Sequence, residues 1–450
     1  MLLSSAVLLI SLTVLYFVGR CYRFLNKAPF FQNASFHFEP TADIGVCLLS
    51  GLLIQYLCFL VFRSYFVVTI AMLVFAFAGW YFFRTKSKPR FLDSILHFIS
   101  TNGPVLLLIG FLFFLTVMSP IHSWDARSSW FFQGHAMALG GGLFPQPYWY
   151  ENLYWFPQWE YPKFFSGLVG YMSYLVSYWD NYFPKLTLGL IFVPIFLLLS
   201  AQWRERWSAF WLVSSIIATC HKSLWDGYMD AYVAIYAATS LIFWVRWLEE
   251  RKANYFYLSF ISICVLPFLK NEGFILWLLL VVVYFIEWGR TRKTDKNASL
   301  VFVLPWVILP LCALGLWHFW KSSFHLQSWL LAKGTVSERF IQHWSEGWAI
   351  KILERLTWDS FVVRTWIIVF ISVLVALWKK RFKFIHLLPT LMILPYLFVL
   401  WLALMITPLD VDYNLSTTQH RIVFALRIAA CASLFLITES LLYNKREKVR

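Results

Sequence analysis

The stretch IGVCLLSGLLIQYLCFLVF, residues 44–62, is followed after only Arg63 and Ser64 by YFVVTIAMLVFAFAGWYFF, residues 65–83. Neither run contains an Asp, Glu, Lys or Arg. Each approaches the roughly 20 residues that a helix needs to cross a hydrocarbon core at 1.5 Å per residue. Reading outward, a third such run, Leu2–Val18, has no preceding Lys or Arg and no small-residue cleavage site. It is expected to be a retained helix rather than a signal peptide. The whole chain fits this pattern, with 450 residues that are 60% hydrophobic, 20% aromatic and only 14% charged. A soluble domain carries roughly 25% charged residues, so this chain cannot cover itself with a polar surface and is expected to be an all-α polytopic membrane protein.

Thirteen membrane crossings are expected, near 2–18, 44–62, 65–83, 102–118, 184–201, 206–220, 229–247, 254–269, 273–289, 299–317, 364–378, 387–406 and 421–441. The net charge of +15 would suggest nucleic acid in a soluble protein. Here it follows the loops. One alternating set holds 24 Lys/Arg against 10 Asp/Glu, the other holds 13 of each, and Arg427 stands alone inside the last span. The positive-inside rule therefore places the N-terminus outside and the C-terminus in the cytoplasm. The external connections are 119–184, 221–227, 318–363 and 407–420. Within the first lies Phe164–Trp179, too short for an easy span and of the wrong parity for one, so a helix lying in the interface or re-entering the membrane is expected. The seven cysteines sit mostly in apolar runs and imply no disulfide framework.

Four polar clusters fall on the external side. Asp125 lies just outside the fourth span, beside Trp124 and close to Arg127. It is either a solvated loop aspartate or a carboxylate placed at the bilayer surface to accept a proton from a hydroxyl. In HKSLWDGYMDAYVA, residues 221–234, a continuous helix would put Lys222, Asp226 and Asp230 on one face. They either pair ions at a helix start or serve a ligand. Lys270, Asn271, Glu272 and Gly273 form a tight turn, where the polar groups either cap the helices or bind. Finally, in TPLDVDYNLSTTQHRIVFALRIAA, residues 407–430, Arg421 stands at the outer boundary with Arg427 six residues deeper. His420 and Arg427, seven apart, share a helix face. An arginine within a span demands a partner, either phosphate bound bidentately or an acidic residue of another helix. The chain contains no HExxH, GxSxG, Walker or paired CxxC motif. The run Gly140–Gly142 lacks the spacing of a nucleotide-binding loop. His135, His318, His325 and His343 show no ligand spacing.

Taken in order, these motifs resemble the GT-C superfamily of membrane glycosyltransferases, and within it a group of bacterial polytopic proteins with a WDA…W…A…GG pattern followed by an aromatic-YP helix. The corresponding pieces are WDARSSWFFQGHAMALGGG at 124–142 and EYPKFFSGLVGYMSYL at 160–175. GYMDAYVA at 227–234 is similar to the group's GYADLPLA, LKNEG at 269–273 to its TKNEG, and LDVDYNLSTTQHR at 409–421 to its WHLxTSxxR. The resemblance covers roughly residues 120–430. It departs at His135, where the group often has lysine, and at Tyr413-Asn414, where it has Trp-His. It implies a transmembrane core over 102–450, preceded by a three-span addition over 1–101.

The activity implied is inverting transfer of a sugar from a polyprenyl-phosphate carrier to a lipid or glycan acceptor outside the cytoplasm, in a bacterial inner membrane, with no nucleic acid involved. Asp125 would be the base. Arg421 and Arg427, with Lys222 and Lys270, would hold the donor phosphate. Asp226, Asp230, Glu272 and His420 would bind sugar or acceptor hydroxyls. No cofactor is required, and a divalent metal is compatible with the pattern. A transporter or flippase for a lipid-linked or anionic substrate is the alternative, although no inverted repeat with paired broken helices is visible. The charge asymmetry yields a direct expectation for orientation. A cysteine replacing Thr418 should react with an impermeant thiol reagent in intact cells, whereas cysteines replacing Ser87 or Thr294 should react only after permeabilisation; the reverse pattern would refute the orientation.

Overall fold

The computed structural model describes residues 2–21, 38–84, 91–144, 158–201, 206–291, 300–326, 335–358 and 360–447. These residues are overwhelmingly helical and include no named strand, with an isolated antiparallel bridge between Ser64 and Gly142. The helices are α1 (Leu2–Gly19), α2 (Pro40–Phe62), α3 (Tyr65–Arg84), α4 (Phe91–Met118), α5 (Phe132–Gly140), α6 (Phe164–Val176), α7 (Thr187–Ala201), α8 (Arg206–Cys220), α9 (Lys222–Asp226) and α10 (Met229–Glu250). They continue as α11 (Ala253–Ile263), α12 (Leu266–Leu269), α13 (Asn271–Thr291), α14 (Leu304–Ser323), α15 (Val336–Ser345), α16 (Trp348–Thr357), α17 (Ser360–Trp378), α18 (Leu388–Met405), α19 (Val411–Ile422) and α20 (Phe424–Glu447). Among the described residues, seven helical segments are long and apolar enough to cross a membrane: 40–62, 98–118, 183–201, 229–250, 271–291, 384–405 and 411–441. The other apolar segments expected to cross are helical too, as α1, α3, α8, α11 with α12, α14 and α17.

The core is organised around α10, which packs against α7, α11, α13, α18 and α20. In its apolar window 89% of residues are buried, as in the segment containing α7, whereas the segment 98–118 of α4 is only 17% buried and forms the periphery. A helix apolar all round belongs inside, and buried hydroxyls of α10 find partners there. The Tyr236 hydroxyl donates to the Ile191 carbonyl at 2.8 Å, and Ser240 donates to the Ser259 carbonyl at 2.7 Å. Trp244 stacks on Tyr284 with ring centres 4.1 Å apart. At its C-terminal end α10 is tied by ion pairs. Arg246 binds Glu439, and Glu249 accepts from Lys383 at 3.0 Å and contacts His386 at 2.8 Å. The helices of residues 1–101 share this apolar core with the rest of the chain, through Leu15, Leu49 and Leu53 among others.

The helix α6, within the stretch expected to lie in the interface or re-enter the membrane, is covered by protein for most of its length. Phe164 to Ser173 are all buried. Phe164 packs on Tyr56 of α2 at 5.4 Å, and Gly134 of α5 lies against Val169. Its side chains Phe164, Phe165, Leu168, Val169 and Met172 are buried, and Leu175 in its last turn is exposed.

The backbone between α12 and α13 is the local feature that builds the site. Lys270 is extended (φ −162°, ψ 160°), breaking the helix. The chain then turns so tightly that a Cβ on Gly273 would lie 2.3 Å from the Leu266 carbonyl oxygen. Gly273→Ala is therefore expected to destabilise by about 1–3 kcal/mol, the usual cost of overpacking. Gly289→Ala, with nothing within 4 Å of the new atom, serves as the control. Thermal midpoints of the two variants in detergent check this, and equal midpoints would refute it.

Candidate functional site

Asp125 begins a π-helical turn, Ala126–Phe131, that runs directly into α5. Such turns are uncommon and recur at functional sites. The loop leading to it, Ser119–Trp124, is fixed from below. The fully buried Lys185 ammonium donates to the Ser119 carbonyl at 3.0 Å and hydroxyl at 2.6 Å, and lies 3.8 Å from Asp226. Ser123 donates to the other oxygen of Asp226 at 2.7 Å. Asp226 thus anchors the Asp125 loop.

Its separation from Asp230 corrects the single-helix expectation for 221–234. Gly227, with φ of 88°, ends α9, and α10 starts afresh at Met229. A left-handed residue interrupts the helical phase, so Asp226 turns toward Lys185 and Asp230 turns toward Lys270.

Lys270 lies 2.8 Å from Asp230 and 3.3 Å from Glu272. Arg421, in the last turn of α19, pairs with Asp125, lies 3.9 Å from Asp230 and covers the Tyr228 ring at 4.5 Å. Asp230, Lys270, Glu272, Tyr396 and Arg421 line a small recess whose apolar wall is Val233, Ile422 and Ala425. Two cations thus face three carboxylates, Asp125, Asp230 and Glu272, a balance of −1 with all ionised. The N-termini of α10 and α13 meet here and add partial positive charge. Two buried polar atoms in the recess have no hydrogen-bond partner: the acceptor Glu272 Oε2 and the donor Arg421 Nε. Each such atom ordinarily costs about 1–3 kcal/mol, so the pair marks where a ligand with both donor and acceptor groups would be satisfied.

The structure brings together Asp125, Asp230, Lys270, Glu272 and Arg421. Lys222 and His420 are exposed at the rim and close enough to interact electrostatically. Arg427 lies further along α20, buried, with its guanidinium 5.6 Å over the Phe424 ring and near Cys220 and Cys431. It does not line the recess. Between α19 and α20 there is only a turn at Val423 (φ −82°, ψ −2°), whose N–H still reaches the Gln419 carbonyl at 3.4 Å and whose carbonyl accepts from Arg427 at 3.1 Å.

Sequence reasoning missed three aromatic residues and a lysine. Tyr228 supports Arg421, and Tyr396 reaches the recess from the middle of an apolar helix, where nothing in the sequence marks it. Tyr161 of the EYP segment stacks on Trp130 at 5.4 Å. Burial, then the neighbouring Glu272 carboxylate, holds its hydroxyl above the ordinary tyrosine range, with Lys270 opposing. Lys163, two residues on, is fully buried and donates to Gln133 at 2.8 Å. Burial pushes its ammonium well below the ordinary lysine range.

Among the described residues no three His, Cys, Asp or Glu side chains are grouped as metal ligands. No family model, curated protein or solved structure matches the chain. The geometry therefore carries the argument alone.

Removing one partner of a buried ion pair strands the other, at about 3–5 kcal/mol. Lys270→Met is expected to lower stability on that scale, and adding Asp230→Asn should restore part of it. A double-mutant cycle in thermal unfolding measures this, with strict additivity showing that the two are uncoupled.

Proposed function

We propose that this protein is an inverting membrane glycosyltransferase that moves a sugar from a polyprenyl-phosphate carrier to a hydroxyl of a lipid or glycan acceptor. The observation that carries the reading is a recess lined by two cations, Arg421 and Lys270, with a partly exposed carboxylate, Asp125, paired to Arg421 beside it. Asp125 keeps 38% of its side-chain surface exposed, so an acceptor hydroxyl can reach it.

The reaction has simple requirements. Asp125 takes the acceptor proton, the hydroxyl oxygen attacks the anomeric carbon, and the bond from that carbon to the phosphate oxygen breaks on the opposite face. The carrier phosphate leaves with the electron pair. Its charge is stabilised by Arg421 and Lys270 and by the N-termini of α10 and α13, all fixed before reaction. Asp230 holds both cations in position. Glu272, with its unpartnered oxygen, accepts a hydrogen bond from a sugar hydroxyl.

The proposed orientation puts the recess on the extracytoplasmic side of a bacterial cell membrane, with thirteen crossings and the first three preceding the catalytic core. Asp230 and Glu249 mark the two polar ends of α10. They lie nineteen residues apart, or roughly 28 Å at 1.5 Å per residue, close to the thickness of a hydrocarbon core. At the end bearing Glu249 lie Lys383 and His386, with Arg251 and Lys252 directly following α10.

The test is turnover of radiolabelled polyprenyl-phosphate sugars by purified protein in nanodiscs. Asp125→Asn preserves size and should reduce turnover by about 10²–10⁴-fold, the usual loss of a general base, without unfolding. Arg421→Lys keeps the charge but loses the planar fork and should also be impaired. Near-normal turnover in Asp125→Asn would rule out the assignment.

A further inference from the structure

The Arg421 guanidinium has two occupations in this reading, and they conflict. Its Nη1 edge is bound to the carboxylate of Asp125, the group that must be turned toward an acceptor hydroxyl. Its Nε–H is buried and donates to nothing, and Nη2 reaches only the Thr417 carbonyl, at 3.5 Å. A phosphate oxygen arriving at that edge meets an unsatisfied donor. It also brings negative charge into a cluster already at −1, where Asp125 is the carboxylate most open to solvent. Asp230 cannot yield in its place, because Lys270 holds it at 2.8 Å. Lys270 is itself shared with Glu272. The charge that gives way is therefore the one on the exposed, flexible side of the ion pair.

We propose that Asp125 is the counter-ion of Arg421 until the donor phosphate takes over the guanidinium, and that this exchange releases Asp125 to face the acceptor, so that donor binds before acceptor. The inference rests on the glycosyl-transfer reading above and adds to it an order of binding and a competition between base and donor. It leads to an outcome that a simple base would not give. Neutralising Asp125 should abolish transfer and at the same time strengthen donor-phosphate binding. The guanidinium is then no longer contested, and the cluster loses a negative charge a few ångströms from the phosphate. For a unit charge about 6 Å from the phosphate and an effective dielectric of about 40 at such a partly exposed site, the removed repulsion corresponds to a roughly tenfold gain in affinity.

The experiment measures binding of decaprenyl phosphate, decaprenol and inorganic phosphate to full-length protein in nanodiscs, by intrinsic tryptophan fluorescence and thermal shift. Wild type, Asp125→Asn, Asp125→Ala and Arg421→Gln are compared. The expected result is that wild type binds decaprenyl phosphate in preference to decaprenol. Both Asp125 variants should bind it about tenfold more tightly, and Arg421→Gln should lose the preference for phosphate. A tighter response to inorganic phosphate in the Asp125 variants would show that the gain belongs to the head group rather than the chain. If wild type prefers decaprenyl phosphate but both Asp125 variants bind it equally or more weakly, the exchange is wrong and the transferase reading survives. If wild type does not distinguish decaprenyl phosphate from decaprenol, the carrier-phosphate reading falls, and the exchange with it. The two Asp125 variants differ in shape but share the missing charge, so agreement between them separates electrostatics from local misfolding.

Discussion

Arg421 can be buried only because carboxylates meet it, and that requirement organises one end of the molecule. A guanidinium taken from water without a partner would cost several kilocalories per mole. Here Asp125 and Asp230 approach it from different elements, and the Tyr228 ring lies beneath it. Asp230 is shared with Lys270, and Lys270 with Glu272. Four helix ends and a loop are thereby drawn to one point, and the surplus negative charge makes the cluster responsive to what binds there. Such a network is demanding: partly satisfied, it is worse than an apolar core, and fully satisfied it specifies a single arrangement.

The lower tier, from Lys185 through Asp226 to Ser123, does a different job. It is buried on all sides and touches the recess only through the loop that carries Asp125. In the proposed exchange, the backbone that carries Asp125 has to stay in place while its side chain changes partner. Three hydrogen bonds from one ammonium to Ser119 and Pro120 supply that fixity.

Much of this was legible from the residues, for identifiable reasons. Burial of long uncharged runs such as 44–62 follows from composition alone, and polar residues at the ends of such runs can hardly be neutral to structure. Asp125, Asp230, Lys270, Glu272 and Arg421 stood out because charge near a bilayer is costly. What sequence could not supply was direction. The left-handed conformation of Gly227 rotates Asp226 away from Asp230, and the turn at Val423 lies between Arg421, which lines the recess, and Arg427, which does not. Each changes which way a side chain points without changing the spacing. Tyr396 was invisible because an aromatic residue in an apolar helix is ordinary; only the fold turns it inward. For Phe164–Trp179 the residues showed a short apolar helix, but not that protein encloses most of it, because the helices that cover it come from distant parts of the chain.

The ion pairs at both ends of α10 have a mechanical consequence. Near its first turn the helix is fastened through Asp230 to Lys270, and near its last through Arg246 and Glu249 to Glu439, Lys383 and His386. Between those fastenings it is packed on nearly every side. It is a strut pinned at each end, and a tilt large enough to open one face would tear the contacts at the other. Rocking of two halves about a central site is therefore a poor description of this molecule. A ligand must then reach the recess from its flank, where Asp125 keeps its open side.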